Sequence, residues 1–449
     1  MKKTFYVFVL VCVGLCLRSF SDTIKENSSE KTKRADILID SLSDGKYADC
    51  VKYFDKTMKS ALPTDKLESV WKSIISQAGS FKEKSSVRDE KSGAYTIIYV
   101  TCKFKLAPLD AKIVFDKENN IAGLFFVPAK EVTTYRVPVY AKPDSFVETD
   151  VIIGSNEWKL PGTLALPNGN GPFPAVILIH GSGPQDRDES IGPNKPFKDI
   201  AIGLASRGIA VLRYEKRTKE YQQKMARSSK TITLKEEITD DVLSACELLR
   251  KTDKIDTRRI ILLGHSMGGM LIPRLGILDK NTSGLIIMAG NTRSLEDLLI
   301  DQTRYIFSNN NEIPQKEKDA QLAILLKQTD RIKRKDYDLN TAESELPLGV
   351  SPVYWQDLQK YNPTETAKDL KQPLLILQGD RDYQVTKLDF EGWQTNLKGK
   401  NNVEYKLYPK LNHLFMEGQG KSTPQEYSLE NHVADYIIND IAGWINKQK

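Results

Sequence analysis

Residues 259–270 read Arg-Ile-Ile-Leu-Leu-Gly-His-Ser-Met-Gly-Gly-Met. A short apolar run bounded by glycine is the pattern of a buried strand, and the residues that follow it have a helical rhythm. A serine set between glycines at such a junction sits in a tight, strained turn at the carboxyl edge of a sheet. Only glycine tolerates the close backbone contacts on either side. The turn presents the Ser266 hydroxyl outward and puts the N–H of Met267 at a helix N-terminus, where the positive dipole end faces developing negative charge. The junction demands a strand–turn–helix unit, which narrows the choice to folds in which strands alternate with helices.

The second half of the chain has that alternation. Strands are expected at 175–180, 209–214, 259–263, 284–289, 373–378 and 403–407, and helices at 195–207, 234–251, 269–278 and 427–446. Antiparallel strands at 137–141, 149–155 and 159–166 lead in. Short apolar strands between helices imply a doubly wound, mostly parallel sheet covered on both faces. Between 290 and 373 the rhythm breaks, with helical patterns at 295–308, 315–329 and 353–360 and no clear strand. An insertion of this size, about 291–370, is expected to form a helical cap over the ligand crevice.

Residues 30–128 read as a separate α+β module, helical at 31–42, 48–60 and 64–77. Strands follow at 85–89, 94–105, 111–116 and 121–127. The module carries no catalytic constellation and resembles the small NTF2-like domains and the uncharacterised module found before bacterial exported hydrolases. Ahead of it, Lys2 and Lys3 precede an apolar run from Phe5 to Leu17, then Arg18, Ser19 and Ser21. This is the pattern of a secretory signal peptide over 1–21, so the mature chain is expected to be exported, periplasmic or extracellular. The run is short for a membrane anchor. Cys12 and Cys16 invite a lipoprotein reading, but Val11 and Leu15 stand where a lipobox has small residues.

Removal of the leader takes the basic residues from 65 to 62 against 59 acidic ones, a net charge of +3. That balance gives no support for nucleic-acid or membrane-surface binding. Cys50, Cys102 and Cys246 remain, too few and too scattered for a disulfide framework or a metal-ligand spacing. Export permits a Cys50–Cys102 bridge, and buried free thiols fit equally well.

A reactive serine needs a base, and the base an orienting acid. Four histidines are available: His180, His265, His413 and His432. His265 lies inside the turn with its side chain expected to point away from the serine; His180 ends a strand; His432 falls within the last expected helix. His413, in a loop between the last strand and the last helix, can reach the carboxyl edge and is the expected base. The buried-strand pattern "LLILQG" runs into Asp380-Arg381-Asp382, which makes Asp382 the expected acid, with Asp380 the alternative. The order Ser266, Asp382, His413 is that of the G-x-S-x-G hydrolases. A second oxyanion donor is expected from the loop after strand 175–180, where the N–H of Ser182 leads and that of Gly183 is next. Gln185 to Asp188, which continue this loop, and Tyr214 to Arg217 after the next strand lie at the same edge and are candidates to line the pocket, with solvent exposure expected for any single one of their charges.

"HGSGPQDRDE", "GHSMGG", "LQGDRDYQV" and "LNHLF" together resemble an α/β-hydrolase, specifically the bacterial EstD-type esterases related to the dienelactone-hydrolase group, over about 135–449. The resemblance implies hydrolysis of small-molecule carboxylic esters with short acyl chains, without metal or cofactor. It implies nucleophile, acid and base at Ser266, Asp382 and His413. Serine rather than cysteine at 266 departs from the wider dienelactone group and favours ordinary esters. A serine aminopeptidase of the same fold is the competing enzyme reading; it would need acidic residues such as Glu296, Asp297 and Asp301 to bind a free amine. A non-catalytic binding protein is disfavoured by the presence of all three triad residue types.

Overall fold

The computed structural model describes residues 24–92, 95–105, 108–129, 135–154, 157–310 and 313–448. The expected signal peptide and its cysteines lie outside them. The chain divides into two compact units, Met1–Val132 and Thr133–Lys449.

The first unit has helices Ile24–Ser43, Tyr47–Lys52, Lys56–Ala61 and Thr64–Ala78, followed by strands β1 (Phe81–Ser92), β2 (Tyr95–Phe104), β3 (Pro108–Phe115) and β4 (Ile121–Pro128). The strands form an antiparallel meander in chain order. The helices pack Leu38, Leu42, Phe54 and Trp71 onto Ile98, Val100, Ile113 and Phe115 of the sheet. The single helix expected over 48–60 is two. Phe54 leaves the helix to bridge Ile121, and Asp55 then caps the next helix by accepting from Met58 N at 2.6 Å. Cys50 and Cys102 are both buried here as free thiols, with no bridge between them.

In the second unit, eight strands form one sheet: β5 (Phe146–Ile153), β6 (Leu160–Pro167), β7 (Phe173–Ile179), β8 (Ala210–Tyr214), β9 (Ile255–His265), β10 (Gly284–Met288), β11 (Leu374–Gly379) and β12 (Val403–Tyr408). Their spatial order is β12-β11-β10-β9-β7-β8-β6-β5. β5–β6 and β6–β8 are antiparallel and every other pair is parallel. The apolar runs of the sequence arise because the central strands are buried on both faces. In β9, Ile260 and Leu262 join one hydrophobic layer while Ile261 and Leu263 join the other. Helix Asp240–Arg250 covers the first layer, and helices Pro196–Ala205 and Asp435–Lys447 the second.

β7 pairs with β8 on one side and β9 on the other, so chain order reverses at β7. Loops leaving β7 and β9 diverge there and open a crevice at the carboxyl ends of the strands, the place where open α/β sheets bind ligands. Above it, the insertion between β10 and β11 folds into helices Leu295–Ser308, Gln315–Arg334, Pro352–Gln359 and Pro363–Lys368, with a small core of Ile332, Leu346 and Trp355.

Three local expectations need correction. Residues 137–141 are not a strand: they have no ladder partner, and Val139 is fully exposed. The last helix starts at Asp435 rather than 427, after a 3₁₀ turn at Pro424–Ser428 and an extended stretch in which Val433 bridges Met416. His432 therefore precedes the helix. Finally, the helix expected at 234–251 opens with a π-helical turn, Lys235–Thr239.

Candidate active site

Ser266 stands between β9 and helix Met267–Leu278 at φ 54°, ψ −117°. A positive φ at a residue with a Cβ costs on the order of 1–3 kcal/mol and persists only where its surroundings enforce it. The flanking glycines are what allow the turn. A Cβ on Gly264 would meet Gly268 O at 2.3 Å, and one on Gly268 would meet Ile179 O at 2.3 Å. Ser266 N donates to Met288 O at 2.8 Å, fastening the turn to β10.

Asp382 lies in the loop that leaves β11, and His413 in the loop that follows β12. His413 Nδ1 lies 2.6 Å from Asp382 Oδ2, and both side chains are buried. The other Asp382 oxygen, Oδ1, accepts from Gln384 N at 2.8 Å and Val385 N at 3.0 Å, and Oδ2 also accepts from Gln378 Nε2 at 3.2 Å. An ionised carboxylate only accepts, so the Nδ1 of His413 carries the proton and its Nε2 is left as the basic nitrogen. Asp380, the alternative acid, is exposed.

His265 links these parts. Its Nε2 donates to the carbonyl of His413 at 2.9 Å, the two rings lie 4.6 Å apart, and its Nδ1 stands 2.9 Å from Glu189 Oε2. That last contact is at ion-pair distance but outside hydrogen-bond geometry. Burial pushes the His265 imidazole down, Glu189, the His413 carbonyl and Asp382 together push it up, and the net direction is up. Burial likewise raises the Glu189 carboxyl, and His265 brings it below its usual value. Beneath the serine turn each partner thus favours the charged form of the other.

In the loop after β7, Glu189 Oε1 accepts from Gly181 N at 2.7 Å. Among the described residues, neither the Ser182 N–H nor the Met267 N–H donates to a protein acceptor. Both residues, with Ser266, line a cavity of about 530 Å³. Its other walls are mainly apolar, with Met270, Leu295, Leu298, Leu299, Val350 and Leu358 from the helix after the serine and from the cap. A larger cleft of about 1260 Å³ touches Asp382 but not Ser266; it is rimmed by Arg304, Lys387, Lys410 and Lys421. The smaller cavity is the one that holds the serine.

A family model described as "Serine aminopeptidase, S33" matches residues 175–419, and one described as "Protein of unknown function (DUF3887)" matches 35–124. Esterase EstD of Thermotoga maritima is 37% identical over 415 residues, which is 92% of this chain and 95% of the relative. The chain belongs to the EstD-type α/β-hydrolases. Among solved structures it is similar to Est1E from Butyrivibrio proteoclasticus, at 15% identity and TM-score 0.42, covering 67% of this chain and 98% of the other. It is also similar to an acylaminoacyl peptidase from Pyrococcus horikoshii, at 14% identity and TM-score 0.46, covering 82% and 56%.

In this EstD-type hydrolase, several charged residues expected at the surface are internal. Asp188 bonds Arg213 and Lys195, and Arg217 pairs with Asp241. Lys216 is 2% exposed and lies 2.6 Å from Glu237. Neither Glu189 nor Glu237 carries a motif of its own. Each is recognisable only once the strands that carry its partners are adjacent. His180 is buried and accounts for no part of the site; burial holds its imidazole down to about 4. His432, ahead of the last helix, sits 3.1 Å from Asp199, whose contact raises its pKa. No cluster of three or more metal-ligating side chains is found among the described residues, and no described helix is long and apolar enough to cross a membrane.

Proposed function

We propose that this protein hydrolyses short-chain carboxylic esters through an acyl-enzyme intermediate on Ser266. The enzyme class, carboxylic ester hydrolase, follows from family membership. The observation that supports the mechanism is that Ser266 stands at its strained turn next to His265, whose Nε2 donates to the backbone carbonyl of His413, and that His413 Nδ1 is 2.6 Å from a buried carboxylate. His413 takes the proton of Ser266 as its oxygen attacks the ester carbonyl, and Asp382 steadies the imidazolium. The Met267 and Ser182 N–H groups, which have no protein acceptor among the described residues, stabilise the oxyanion. His413 then protonates the leaving alcohol and activates the water that releases the acid.

The cavity of about 530 Å³, closed by apolar cap residues, supports small acyl groups. The acidic residues that the aminopeptidase alternative would use are not at the cavity: none of Glu296, Asp297 and Asp301 lines it, and Asp297 pairs with Lys333 and Asp301 with Arg293. Ser266→Ala should abolish hydrolysis of p-nitrophenyl butyrate and labelling by a fluorophosphonate, while circular dichroism stays unchanged. Butyryl mass trapped at any residue other than Ser266 would refute the intermediate. The lysine-led apolar leader supports export, and N-terminal sequencing of the protein recovered outside the cytoplasm should begin after Ser21.

A further inference from the structure

The N–H of Ser182 and the carbonyl of Gly181 belong to one peptide unit. Lys216 Nζ donates to that carbonyl at 2.8 Å. The peptide is planar and trans, so its C=O and N–H point in opposite directions. A cation fixed on the oxygen therefore fixes where the N–H points. It also polarises the amide and makes its N–H a stronger donor, as hydrogen bonds in series do in a low-dielectric site. The preceding amide is held as well, because Gly181 N donates to Glu189 Oε1 at 2.7 Å.

Lys216 comes from the turn after β8, so its contact with the β7 loop is a product of strand order and not of local sequence. The ammonium is itself held. Glu237 Oε1 lies 2.6 Å from Nζ, and Glu237 Oε2 accepts from the Tyr354 hydroxyl at 2.7 Å. Tyr354 belongs to cap helix Pro352–Gln359, while Glu237 lies in the π-helical turn. Glu237 and Tyr354 line the serine cavity and Lys216 does not. The ammonium is thus placed to act on the loop and not on substrate.

We propose that Lys216 is a positioning residue for the oxyanion hole: held by Glu237, and through Tyr354 linked to the cap, it aims and polarises the Ser182 N–H at the developing oxyanion. The inference rests on the acyl-serine reading. Because its effect falls on a transition-state contact, losing Lys216 lowers kcat with little change in KM.

The test uses the full mature chain carrying Lys216→Met with Glu237→Gln, so that no lone carboxylate is left buried. Readouts are kcat and KM for p-nitrophenyl butyrate, and the affinity of an aliphatic trifluoromethyl ketone, whose adduct with Ser266 places an oxyanion in the hole. Losing a whole oxyanion donor costs about 10²–10³ in kcat, so misaiming one should cost about 10–100-fold. The ketone affinity should weaken by a similar factor, and KM should stay within about twofold. Lys216→Arg, which keeps a cation and its donors, should recover most of both losses. If the double variant does not fold, Lys216→Gln against Lys216→Arg makes the same comparison. A folded variant with unchanged kcat, or one whose kcat falls while ketone affinity holds, overturns the role of Lys216. Fluorophosphonate labelling separates the two levels: wild-type protein unlabelled at Ser266 sinks the acyl-serine reading itself, whereas labelled variants with unchanged kcat sink only this inference.

Discussion

The imidazole of His265 donates from Nε2 to the carbonyl of His413 at 2.9 Å, so the residue before the serine holds the backbone of the histidine loop. Its other nitrogen faces Glu189, which in turn holds Gly181 N. This one pair therefore touches the turns after β7, β9 and β12. His265→Ala strands the Glu189 carboxylate and frees the 413 carbonyl. Stranding one member of a buried pair costs about 3–5 kcal/mol. Urea unfolding should show a loss of that order, and kcat should fall about tenfold or more at temperatures where the variant is folded, as expected when a catalytic group is displaced slightly. A His265→Ala protein as stable and active as wild type would contradict the linkage.

Ser266 and Asp382 stand out in the sequence because each closely follows an apolar run where a strand stops, and His413 because it lies in the loop after the last strand. His265 was not readable in the same way. Its position in the turn said only that it would face away from the serine, and its partners Glu189 and His413 are 76 and 148 residues distant in sequence. Lys216, Arg217 and Asp188 were expected in solvent because charged residues after a strand usually are; pairing across neighbouring strands is what buries them. The last helix was read too long because apolar residues at 427 and 433 fit a helical rhythm while serving a 3₁₀ turn and a bridge. The alternation of strands and helices follows from the apolar pattern of the sequence. Side-chain pairing between loops does not.

Asp382→Asn isolates the orienting acid. Oδ1 receives two backbone N–H groups, so that oxygen is kept by the asparagine, and its NH₂ must replace Oδ2 opposite His413 and Gln378. Both partners there are donors. To avoid that clash His413 shifts its proton to Nε2, the wrong tautomer for a base. In the serine triads this exchange lowers kcat by about 10⁴-fold. The expected result is a fold unchanged by circular dichroism, a KM within a few-fold, and kcat reduced by about that factor. A reduction under tenfold would assign the acid elsewhere, Asp380 first.

Cys50, Cys102 and Cys246 should be inert in the native protein. All three are buried and free, and burial pushes the Cys50 thiol up to about 11 and Cys102 up to about 12, so thiolate is scarce at neutral pH. A disulfide-exchange reagent at pH 8 should label none of them until denaturant is added, and then all three. Fast labelling of Cys50 or Cys102 before unfolding would show that the first unit opens on the reagent's timescale.

His180 gives stability a definite dependence on pH. Burial holds its pKa down to about 4; Glu189 acts upward against this and Lys216 adds to it. In the unfolded chain the same ring takes a proton near pH 6.5. Between those two values the unfolded state binds the extra proton, so stability falls as the solution is acidified. His265 and His432, whose pKa values are raised in the fold, act in the opposite direction, and total stability does not isolate His180. The difference between wild type and His180→Gln does. The glutamine has no proton to gain, so the substitution's cost at pH 7.5 should shrink by about 2 kcal/mol at pH 5, the span from 6.5 down to 5 at about 1.4 kcal/mol per unit. Urea unfolding of both proteins at the two pH values measures it. A cost that is the same at pH 5 as at pH 7.5 would mean that His180 is protonated within the fold at pH 5, with an N–H on Nδ1 besides the one that Nε2 donates to the carbonyl of Asp186 at 3.1 Å.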